Sequence, residues 1–527
     1  MYKLLLNKYT AYPWFQSERI SFRGYFISNG NLYKGEEAIS FLLDKLNKIE
    51  FKSILLLLNG LFSIIICGEN EVYFATDRLR CLPLFYAFHE GDILVSDNAQ
   101  EIYNALPKVT FDPVSIEDFK ANGLFVSGAS TLYREIKQVQ AGEWVCYKND
   151  CHQLSSGFYF THADENKNKK TQAEQTEKFR PIFKEACNNL VIALDGRTAV
   201  VSLSGGTDSR ELLLMLHTAG YKKVLCFSYG KKGSLDCTYA KKLAGHFGYP
   251  WIEITYTRKL WRDLRDTPEF ISNFNSAGNF AALPHIQDIL AVKILHEQNI
   301  ISRDSVFLPG HAGAIAGGNF LPDFLREQLF TYEELIEKVI QNIYNKCNSS
   351  CKLSQDLIKK IKGFFDPDKC NTNEESEAQY HCFIMKERQA KFIINSVRAY
   401  EIMGYEWLLP LCDLELLNFM KTIPLYLKHK KKFIRDFMGL NSIPSTSDDS
   451  VYKFIADKIC NIPPLCVVTR KLSKIPKYFA SPVQTTGLYG FYAYLKGCVY
   501  GNQYFSINDL INYYYISSLK EKNIWTS

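Results

Sequence analysis

The first third of the chain alternates short apolar runs with turn-forming residues. Segments such as RGYFISNG, LFSIIIC, EVYFAT and DILVS are separated by Gly, Asn and Asp up to about residue 155. This spacing predicts packed antiparallel sheets. The most apolar stretch, ILLLLNGLFSIIICG at residues 54–68, is interrupted by Asn59-Gly60. It is shorter than the roughly 20 residues of a membrane-spanning helix, and we interpret it as two buried strands joined by an Asn-Gly turn.

The pattern changes after the polar segment ADENKNKKTQA at residues 163–173, which predicts a linker. From about residue 175, strand-like and helix-like patterns alternate through TAVVSLSG, a helix from Asp208, KVLCFSYG, LDCTYAKKLAGHFG and WIEITY. This order predicts an α/β fold with a parallel sheet and helices on both faces. Beyond about residue 320 the patterns are mostly helical, as in SQDLIKKIKGFF and DLELLNFMKTIP. The aromatic-rich last 50 residues predict helical core packing with a partner surface.

Composition narrows the class of protein. The 527 residues are 46% hydrophobic and 22% charged, which is typical of a soluble globular protein of two or three domains. A net charge of +6 is too small over this length to favour nucleic-acid binding. The 15 cysteines lack the spacing of a zinc site and predict free thiols. The first ten residues hold only a three-residue apolar run, so we expect a cytoplasmic protein with no secretory signal and no membrane span.

Candidate chemistry is concentrated in SLSGGTDS at residues 202–209, which follows a buried strand and opens a helix. Gly205 and Gly206 allow backbone N–H groups to turn toward an anion, and the helix adds the positive end of its dipole. Ser204 and Ser209 can donate hydroxyl hydrogen bonds to phosphate oxygens. Asp208 would repel phosphate unless it binds Mg²⁺. These residues predict a pyrophosphate and a metal, and the alternative is a glycine-rich turn capped by Asp208.

The Ser-Gly-Gly-x-Asp-Ser pattern resembles the PP-loop of ATP pyrophosphatases, which cleave ATP to AMP and pyrophosphate while adenylating a substrate. Residues 58–88 and 404–424 resemble two further motifs of the asparagine synthetase family, in the family's order and over nearly the whole chain. The resemblance implies an Ntn-hydrolase-like α+β sandwich at residues 1–160, a degenerate class II glutamine amidotransferase domain. It also implies a linker at 161–175 and a PP-loop synthetase domain at 176–527, with a parallel sheet and a helical carboxyl-terminal part.

The same resemblance implies ATP and Mg²⁺ as cofactors, with Asp208 as the metal ligand. The catalytic candidates are His311 as general base, Lys431 beside Lys432 on the pyrophosphate, and Glu406 of the Gly-x-Glu motif. The implied ATP-binding residues are Leu203, Ser204, Gly205, Gly206, Asp208, Ser209, Phe227, Ser228 and Gly310. Taken alone, KHKKKF at residues 428–433 is typical of a solvated face, and residues 306–320 are compatible with a glycine-rich loop around a satisfied histidine.

Two of the departures from the family pattern bear on function. Tyr2 stands where the family has a catalytic cysteine, and so bulky a residue is expected to leave Met1 in place. A phenol cannot replace that thiol, so we expect an inactive glutaminase half that serves as a scaffold. Ala314 stands where the family has an Mg²⁺-binding aspartate. The metal would then depend on Asp208, water and phosphates, or activity would be weakened.

The function implied is ATP-dependent amide-bond formation: a carboxylate is adenylated with pyrophosphate release, then attacked by ammonia or an amine. Expected partners are a small-molecule carboxylate acceptor, either an amino acid or a sugar acid, and an ammonia-supplying protein. A homodimer is compatible with the resemblance, and no nucleic acid is expected. Residues 276–295 and 387–407 resemble a branch of bacterial surface-polysaccharide pathways. Glu387 and Arg388 are candidates to face the acceptor, unless they form a helical surface salt bridge.

Three alternatives stay open. The chain can be a nucleotide-binding pseudoenzyme that acts as an assembly subunit, which Tyr2 and Ala314 favour. It can be a cyclase-type ligase that joins an amine and a carboxylate of one molecule, since β-lactam synthetases and lasso-peptide cyclases share the implied fold. A tRNA-modifying PP-loop enzyme is disfavoured by the modest charge and by the amino-terminal domain.

Overall fold

A computed structural model of the chain describes residues 2–164, 167, 170–230, 232–311, 313, 318, 320–344, 352–439 and 515. The strands are β1 Tyr2–Leu5, β2 Phe15–Gln16, β3 Ile20–Ser28, β4 Asn31–Lys34, β5 Asn59–Cys67, β6 Glu71–Thr76, β7 Phe85–His89, β8 Asp92–Ser96, β9 Lys137–Gln138, β10 Glu143–Lys148, β11 Gln153–Phe158, β12 Ala199–Ser202, β13 Val224–Gly230, β14 Trp251–Thr255, β15 Val306–Leu308 and β16 Glu406–Trp407. The helices are α1 Gly35–Leu46, α2 Phe51–Leu57, α3 Ala99–Ala105, α4 Pro113–Asn122, α5 Gln172–Leu194, α6 Thr207–Thr218, α7 Leu235–Phe247, α8 Arg258–Leu264, α9 Pro268–Gly278, α10 Ile289–Glu297, α11 Phe324–Glu327, α12 Tyr332–Val339, α13 Gln355–Lys362, α14 Asn373–Ile384, α15 Arg398–Ile402, α16 Leu414–Thr422, α17 Leu425–Lys428 and α18 Lys432–Met438.

The amino-terminal part contains two facing sheets. One has the order β1-β8-β7-β9, and the other has the order β11-β10-β6-β5-β3-β2, with β4 also paired to β3. The strand pairs are antiparallel apart from β1 and β8, which run parallel. Phe74, Tyr86, Val95 and Val145 fill the space between the sheets. Helix α1 packs on β3 and helix α3 on β7 and β8, which confirms the predicted α+β sandwich.

The interpretation of residues 54–68 as two strands is wrong in its first half. Residues Phe51–Leu57 form helix α2, and only Asn59–Cys67 form a strand. Phe51, Ile54 and Leu55 are buried on one side of the helix while its last two leucines are exposed, which is a helical spacing. A continuous apolar run does not distinguish a short helix from a buried strand, and here tertiary packing decides.

The carboxyl-terminal part is built on a parallel five-stranded sheet of order β14-β13-β12-β15-β16, as predicted. The chain runs outward from β12 through β13 to β14 and then returns to β15, on the other side of β12. Val201 lies between Cys226 and Leu308 in the register. The strand order therefore reverses between β12 and β15, and ligands of open α/β sheets bind outside the carboxyl ends of the strands at such a reversal.

The segment that joins the two parts ends earlier than the sequence indicates. Helix α5 begins at Gln172 behind a capping box, in which Thr171 and Glu174 satisfy each other's backbone N–H groups. The Thr-x-x-Glu spacing is a sequence signal for the start of a helix, but it lies in a polar stretch whose composition resembles a linker. Lys167, within the predicted linker, is buried and pairs with Glu377 at 2.6 Å. The domain boundaries themselves stay predictions.

Buried polar contacts join the two parts. The guanidinium of Arg23 on β3 pairs with Glu401 on α15, and Arg398 pairs with the same carboxylate. A second contact is centred on Asp413, whose Oδ2 accepts hydrogen bonds from Asn59 at 2.7 Å and Asn189 at 2.8 Å. Asn59 therefore opens β5 and bonds across to the sheet domain instead of forming the predicted turn.

The carboxyl-terminal region is helical where it is described. Helices α13 and α16 lie where SQDLIKKIKGFF and DLELLNFMKTIP predict them. The segment after α14 is helical too, but it runs through a π-helix at Met385–Ile393 and a 3₁₀ turn at Ile394–Val397 before α15. Among the helices described, none combines the length and apolarity needed to cross a membrane. The predicted packing of the last 50 residues lies outside the described residues, apart from Tyr515, which is buried.

Candidate active site at the strand-order reversal

The first loop at the reversal follows β12. Two hydroxyls close it: Ser209 Oγ donates to the Ser204 carbonyl at 2.9 Å and to the Gly206 carbonyl at 3.1 Å, while the Gly206 N–H donates to Ser204 Oγ at 3.2 Å. Ser204 is exposed, whereas Gly205 and Ser209 are buried. Helix α6 starts directly behind this loop. An exposed hydroxyl at a helix amino terminus on a strand-order reversal is a suitable environment for a phosphate.

The second loop follows β15 and lies directly on the first. A Cβ atom on Gly310 would meet the Cβ of Asp208 at 3.0 Å and the backbone N of Ser209 at 3.4 Å. A Cβ atom on Gly313 would lie 3.2 Å from Asp208 Oδ1. The absence of side chains at these two glycines lets the loops approach each other. Gly310 is thus placed beside Asp208, the candidate metal ligand, and its role in binding ATP stays a prediction.

Lys431 reaches the same point from the carboxyl-terminal helices. Its ammonium forms an ion pair with Asp208 Oδ1. Lys430 and Lys431 both have left-handed backbones, with φ of 52° and 58°, a conformation that costs about 1–2 kcal/mol in a residue with a side chain. Burial lowers the pKa of Lys431 to about 7, and the adjoining carboxylate favours the charged form. The strained turn therefore holds a buried ammonium where the first and second loops meet.

The interpretation of KHKKKF as a solvated face applies to only part of this segment. Lys428 and His429 are buried together with Lys431. Lys430 is exposed and pairs with Asp323 at 2.9 Å, and Lys432, the predicted neighbour of Lys431 on pyrophosphate, pairs with Asp436 at the surface. From His429 to Phe433, buried and exposed side chains alternate along the segment.

His311 comes directly after Gly310 in the second loop. Its Nε2 hydrogen bonds to the hydroxyl of Ser396, which also interacts with the carboxyl group of Asp288. Asp288 accepts a hydrogen bond from Tyr229 at the end of β13. Burial lowers the pKa of His311 to about 3, and the neighbouring His285 acts in the same direction. His311 is therefore neutral at physiological pH and can accept a proton.

Three predicted ATP-binding residues, Leu203, Phe227 and Ser228, make structural contacts at the parallel sheet. The backbone N–H of Leu203 donates to the Phe227 carbonyl at 2.8 Å, and the Ser228 hydroxyl donates to the Leu203 carbonyl at 2.6 Å. The Phe227 side chain is fully buried between strands. These residues hold the start of the first loop in place. Their contact with adenine stays a prediction.

Of the catalytic candidates His311, Lys431 and Glu406, the structure places Glu406 away from the two loops. It pairs in register with Val306, the first residue of β15, and so lies at the amino end of the sheet. Its carboxylate bonds to Arg197 at 2.7 Å and to Lys34 at 3.2 Å. These two cations lower its pKa against the effect of burial. Glu406 thus stabilises the contact between the two parts of the chain, and we do not retain the catalytic role.

Glu387 and Arg388, the two residues predicted to face the acceptor, lie in different surroundings. Glu387 is buried, accepts from the Gly128 N–H at 3.1 Å and pairs with Lys391 at 2.6 Å, so it faces the amino-terminal part and forms no surface salt bridge. Arg388 stacks on Phe320, with its guanidinium carbon 3.9 Å from the ring centroid, so it stays a candidate for the acceptor side. Ala314 lies outside the described residues.

The side chains at the two loops could bind Mg²⁺ only together with ligands from outside the protein. In the described part of the chain, no group of three or more His, Cys, Asp or Glu side chains is arranged to hold a metal ion. Asp208 contributes one carboxylate at the phosphate loop, and Mg²⁺ is commonly bound by one or two carboxylates together with substrate phosphates and water. The residues therefore fit an Mg²⁺ ion that arrives with ATP and do not form a complete protein site.

Two family profiles match the chain on either side of the joining segment. The asparagine synthase profile matches residues 179–438, which include both loops and Lys431. The glutamine amidotransferase domain profile matches residues 23–159. The chain belongs to the asparagine synthetase family. Within this family it combines an amidotransferase-type sandwich with a synthetase domain, as the sequence motifs predict. Membership of a surface-polysaccharide branch stays a prediction.

A curated relative and two solved structures are similar to this family member. The Microcin J25-processing protein McjC of Escherichia coli is 22% identical over 305 residues, 56% of this chain and 53% of that protein. The chain therefore spans about half the length of this relative. NH3-dependent NAD synthetase from Campylobacter jejuni is 12% identical with a TM-score of 0.19, covering 37% of this chain and 93% of that one. Glutamine phosphoribosylpyrophosphate amidotransferase from B. subtilis is 10% identical with a TM-score of 0.17, covering 68% and 76%.

Sequence reasoning missed Asp288 and Ser396. Asp288 precedes an apolar helix and resembles an ordinary amino-terminal cap, but its side chain makes no capping bond. Ser396 lies in a helical pattern without a motif. No local signal identifies either residue, because their connection to His311 exists only in the folded chain.

Proposed function

We propose that this chain is an ATP-dependent ligase that forms amide bonds by adenylating a carboxylate. The observation that carries the proposal is the ion pair of Lys431 with Asp208, formed where the two loops of the strand-order reversal meet. A buried ammonium here has no evident packing role and is suited to a polyphosphate. The carboxylate of the acceptor would attack the α-phosphorus of ATP, giving acyl-AMP and pyrophosphate.

Each group at the loops has a task in this scheme. The exposed hydroxyl of Ser204 and the amino end of α6 would bind phosphate oxygens. Lys431 would exchange its contact with Asp208 for the phosphates and stabilise the charge that develops on departing pyrophosphate. Asp208, with waters and phosphates, would hold Mg²⁺, which supplies charge neutralisation when bound. His311 lies one residue beyond Gly310 and would serve the incoming nucleophile.

The close packing of Gly310 gives a direct test of the loop. Gly310→Ala is expected to raise the KM for ATP at least about tenfold, equivalent to about 1.4 kcal/mol, because the added methyl group would push Asp208 out of place. Gly245→Ala on α7 is the matched control, since nothing lies within 4 Å of a Cβ at that position. ATP titrations of pyrophosphate release measure both. Equal KM values in the two variants would contradict the placement of ATP.

We propose that the amidotransferase-type half does not hydrolyse glutamine. Tyr2 lies at the start of β1 in register with Ile93, and its phenol hydrogen bonds to Cys67, which raises its pKa. Burial also raises the pKa of Cys67, so neither group is an activated nucleophile. Incubation of the full chain with glutamine is expected to release no glutamate above a no-enzyme blank. Steady release that depends on Cys67, tested with Cys67→Ser, would disprove this.

A second candidate is a cyclase-type ligase, in which the amine and the carboxylate belong to one molecule. The similarity to McjC favours it, because that protein is named as processing microcin J25, and a peptide can carry both groups. The two candidates differ in their products. A cyclase product has the mass of its substrate less one water, whereas an ammonia-dependent product retains a free chain and gains an amide nitrogen.

Exchange of labelled pyrophosphate into ATP tests the shared adenylation step. The full chain is incubated with ATP, Mg²⁺ and one of three acceptors: L-aspartate, a uronic acid, or a linear peptide with a free amine and an acidic side chain. Exchange with any acceptor supports a ligase, and mass spectrometry of the product separates the two candidates. ATP binding without exchange for all three would favour the pseudoenzyme subunit.

A further inference from the structure

A hydrogen-bonded network extends from His311, with two buried members, Ser396 and Asp288, and partly buried side chains at its two ends. It consists of His311, Ser396, Asp288 and Tyr229, which come from the loop after β15, the 3₁₀ turn before α15, the start of α10 and the end of β13. All four elements meet at the carboxyl edge of the parallel sheet. The network thus begins next to Gly310, which packs on Asp208, and reaches the buried carboxyl group of Asp288.

We propose that His311, Ser396 and Asp288 form a proton relay that deprotonates the attacking amine, with Asp288 as the final acceptor. This inference rests on the proposed ligase function and adds two residues to it. Histidine receives and releases protons at different nitrogens, and a hydroxyl can do so at one oxygen. His311 alone is a weak base in its buried position, so a more basic group is needed behind it.

The protons and electrons balance through the relay. As the amine nitrogen forms its bond to the acyl carbon, an N–H bond breaks and its proton moves to His311 Nδ1. The proton on His311 Nε2 passes to Ser396 Oγ, and the serine proton passes to the Asp288 carboxylate. AMP leaves with the electron pair of the acyl–oxygen bond. His311 and Ser396 end neutral, with His311 protonated on Nδ1, and Asp288 ends as a carboxylic acid. Before the next turnover the Asp288 proton returns through Ser396 to His311 Nε2 while the Nδ1 proton is released to water, which restores the starting tautomer.

The surroundings of Asp288 make it the group that titrates near neutral pH. Burial raises its pKa to about 6, although its hydrogen bonds from Tyr229 and Ser396 act in the other direction. Tyr229, Tyr256 and Tyr400 also face this carboxyl group, and burial raises the pKa of each well above 10. Burial lowers the pKa of His285 to about 4. Of the groups that face the relay, Asp288 is therefore the one that loses its charge as pH falls through about 6. Lys431 on the neighbouring loops has a pKa of about 7, but it gains charge as pH falls.

The geometry of Asp288 favours this role over a purely structural one. It occupies the position before α10, where an aspartate usually accepts a backbone hydrogen bond from its own helix. Its side chain makes no such bond and points to Tyr229 and Ser396 instead. A helix without a side-chain cap is less stable. In α10 the carboxyl group that could form the cap is instead bonded to Tyr229 and linked through Ser396 to His311.

Two readouts separate the relay from adenylation. Asp288→Asn and Ser396→Ala are expected to keep pyrophosphate exchange within about threefold of the wild type and to lower amide formation by about 10²-fold or more. Ser396→Thr, which keeps the hydroxyl, should restore most of the rate. Ammonium chloride or the peptide amine serves as nucleophile, with the acceptor that supports exchange.

The pH profile supplies a signature that a structural role would not give. In the wild type, amide formation should fall as pH drops through about 6, because the Asp288 carboxylate becomes protonated. This acidic limb should be absent in Asp288→Asn, while any limb due to the amine substrate remains in both proteins. An unchanged limb, or equal losses of exchange and amide formation, would overturn the relay. No exchange by the wild type with any of the three acceptors would overturn the proposed function, and the relay with it.

Discussion

Replacing Lys431 with methionine is expected to slow pyrophosphate release by about 10²–10³-fold, the loss seen when one charge-stabilising donor is removed from an active site. Methionine keeps much of the length and apolar volume of the lysine but carries no charge. The ammonium of Lys431 is buried against Asp208 between the two loops, so no neighbouring lysine can take its place. Steady-state pyrophosphate release measures the effect.

The adjacent residue provides the control. Lys430 has the same left-handed backbone, but its side chain is exposed and pairs with Asp323. Lys430→Met should therefore keep the rate within about twofold, because exposed ion pairs contribute about 1 kcal/mol or less. Thermal unfolding of both variants checks that the fold is intact. Similar rate losses in the two variants would show that the turn, and not the ammonium of Lys431, supports catalysis.

Removing the charge of Glu401 is expected to destabilise the chain by about 3–5 kcal/mol, because breaking a buried ion pair leaves an uncompensated charge. The carboxylate pairs with both Arg23 and Arg398. Burial lowers the pKa of Arg398 to about 9, and Arg23 acts in the same direction, so the two guanidiniums need the carboxylate between them. Asp97, 3.6 Å from Arg23, compensates for only part of the loss. Glu401→Gln should show a clear fall in unfolding midpoint in urea.

Glu406→Gln is the matched control for that prediction. Glu406 also joins a cation of the amino-terminal part, Lys34, to one of the sheet domain, Arg197. Its side chain is 24% exposed, compared with 2% for Glu401, so solvent screens its pairs and the expected loss is about 1 kcal/mol or less. Equal midpoint shifts in the two variants would contradict the importance of burial.

The position of the loop at residues 204–209 was predictable because its sequence signal is local. Two glycines and two hydroxyls between a buried strand and a helix have few structural explanations, and Ser204 to Ser209 lie where the sequence places them. Gly310 and Lys431 were found by family motif and spacing, and the structure brings both to Asp208. The turn that directs Lys431 inward could not be predicted, since neither Lys430 nor Lys431 is a residue that favours a left-handed backbone.

Other features depend on contacts between segments far apart in the chain. Glu406 fits a catalytic motif by sequence, yet the register of β16 places it at the opposite end of the sheet. Helix α2 looks like a strand until its two exposed leucines are distinguished from the buried residues beside them. The link from His311 through Ser396 to Asp288 has no motif at all. Sequence patterns reveal which residues are apolar or reactive, and tertiary packing decides which of them meet.

The burial of Lys167 has a consequence for dividing the protein. Its ammonium shares Glu377 with Lys428, and Lys428 in turn lies against Gly318 of the glycine-rich loop. A shortened chain that starts at α5 would keep the whole parallel sheet and yet lose one of the two cations that neutralise Glu377. The synthetase half therefore depends on a contact from beyond its amino-terminal border, and Glu377 and Lys428 connect the joining segment to Gly318.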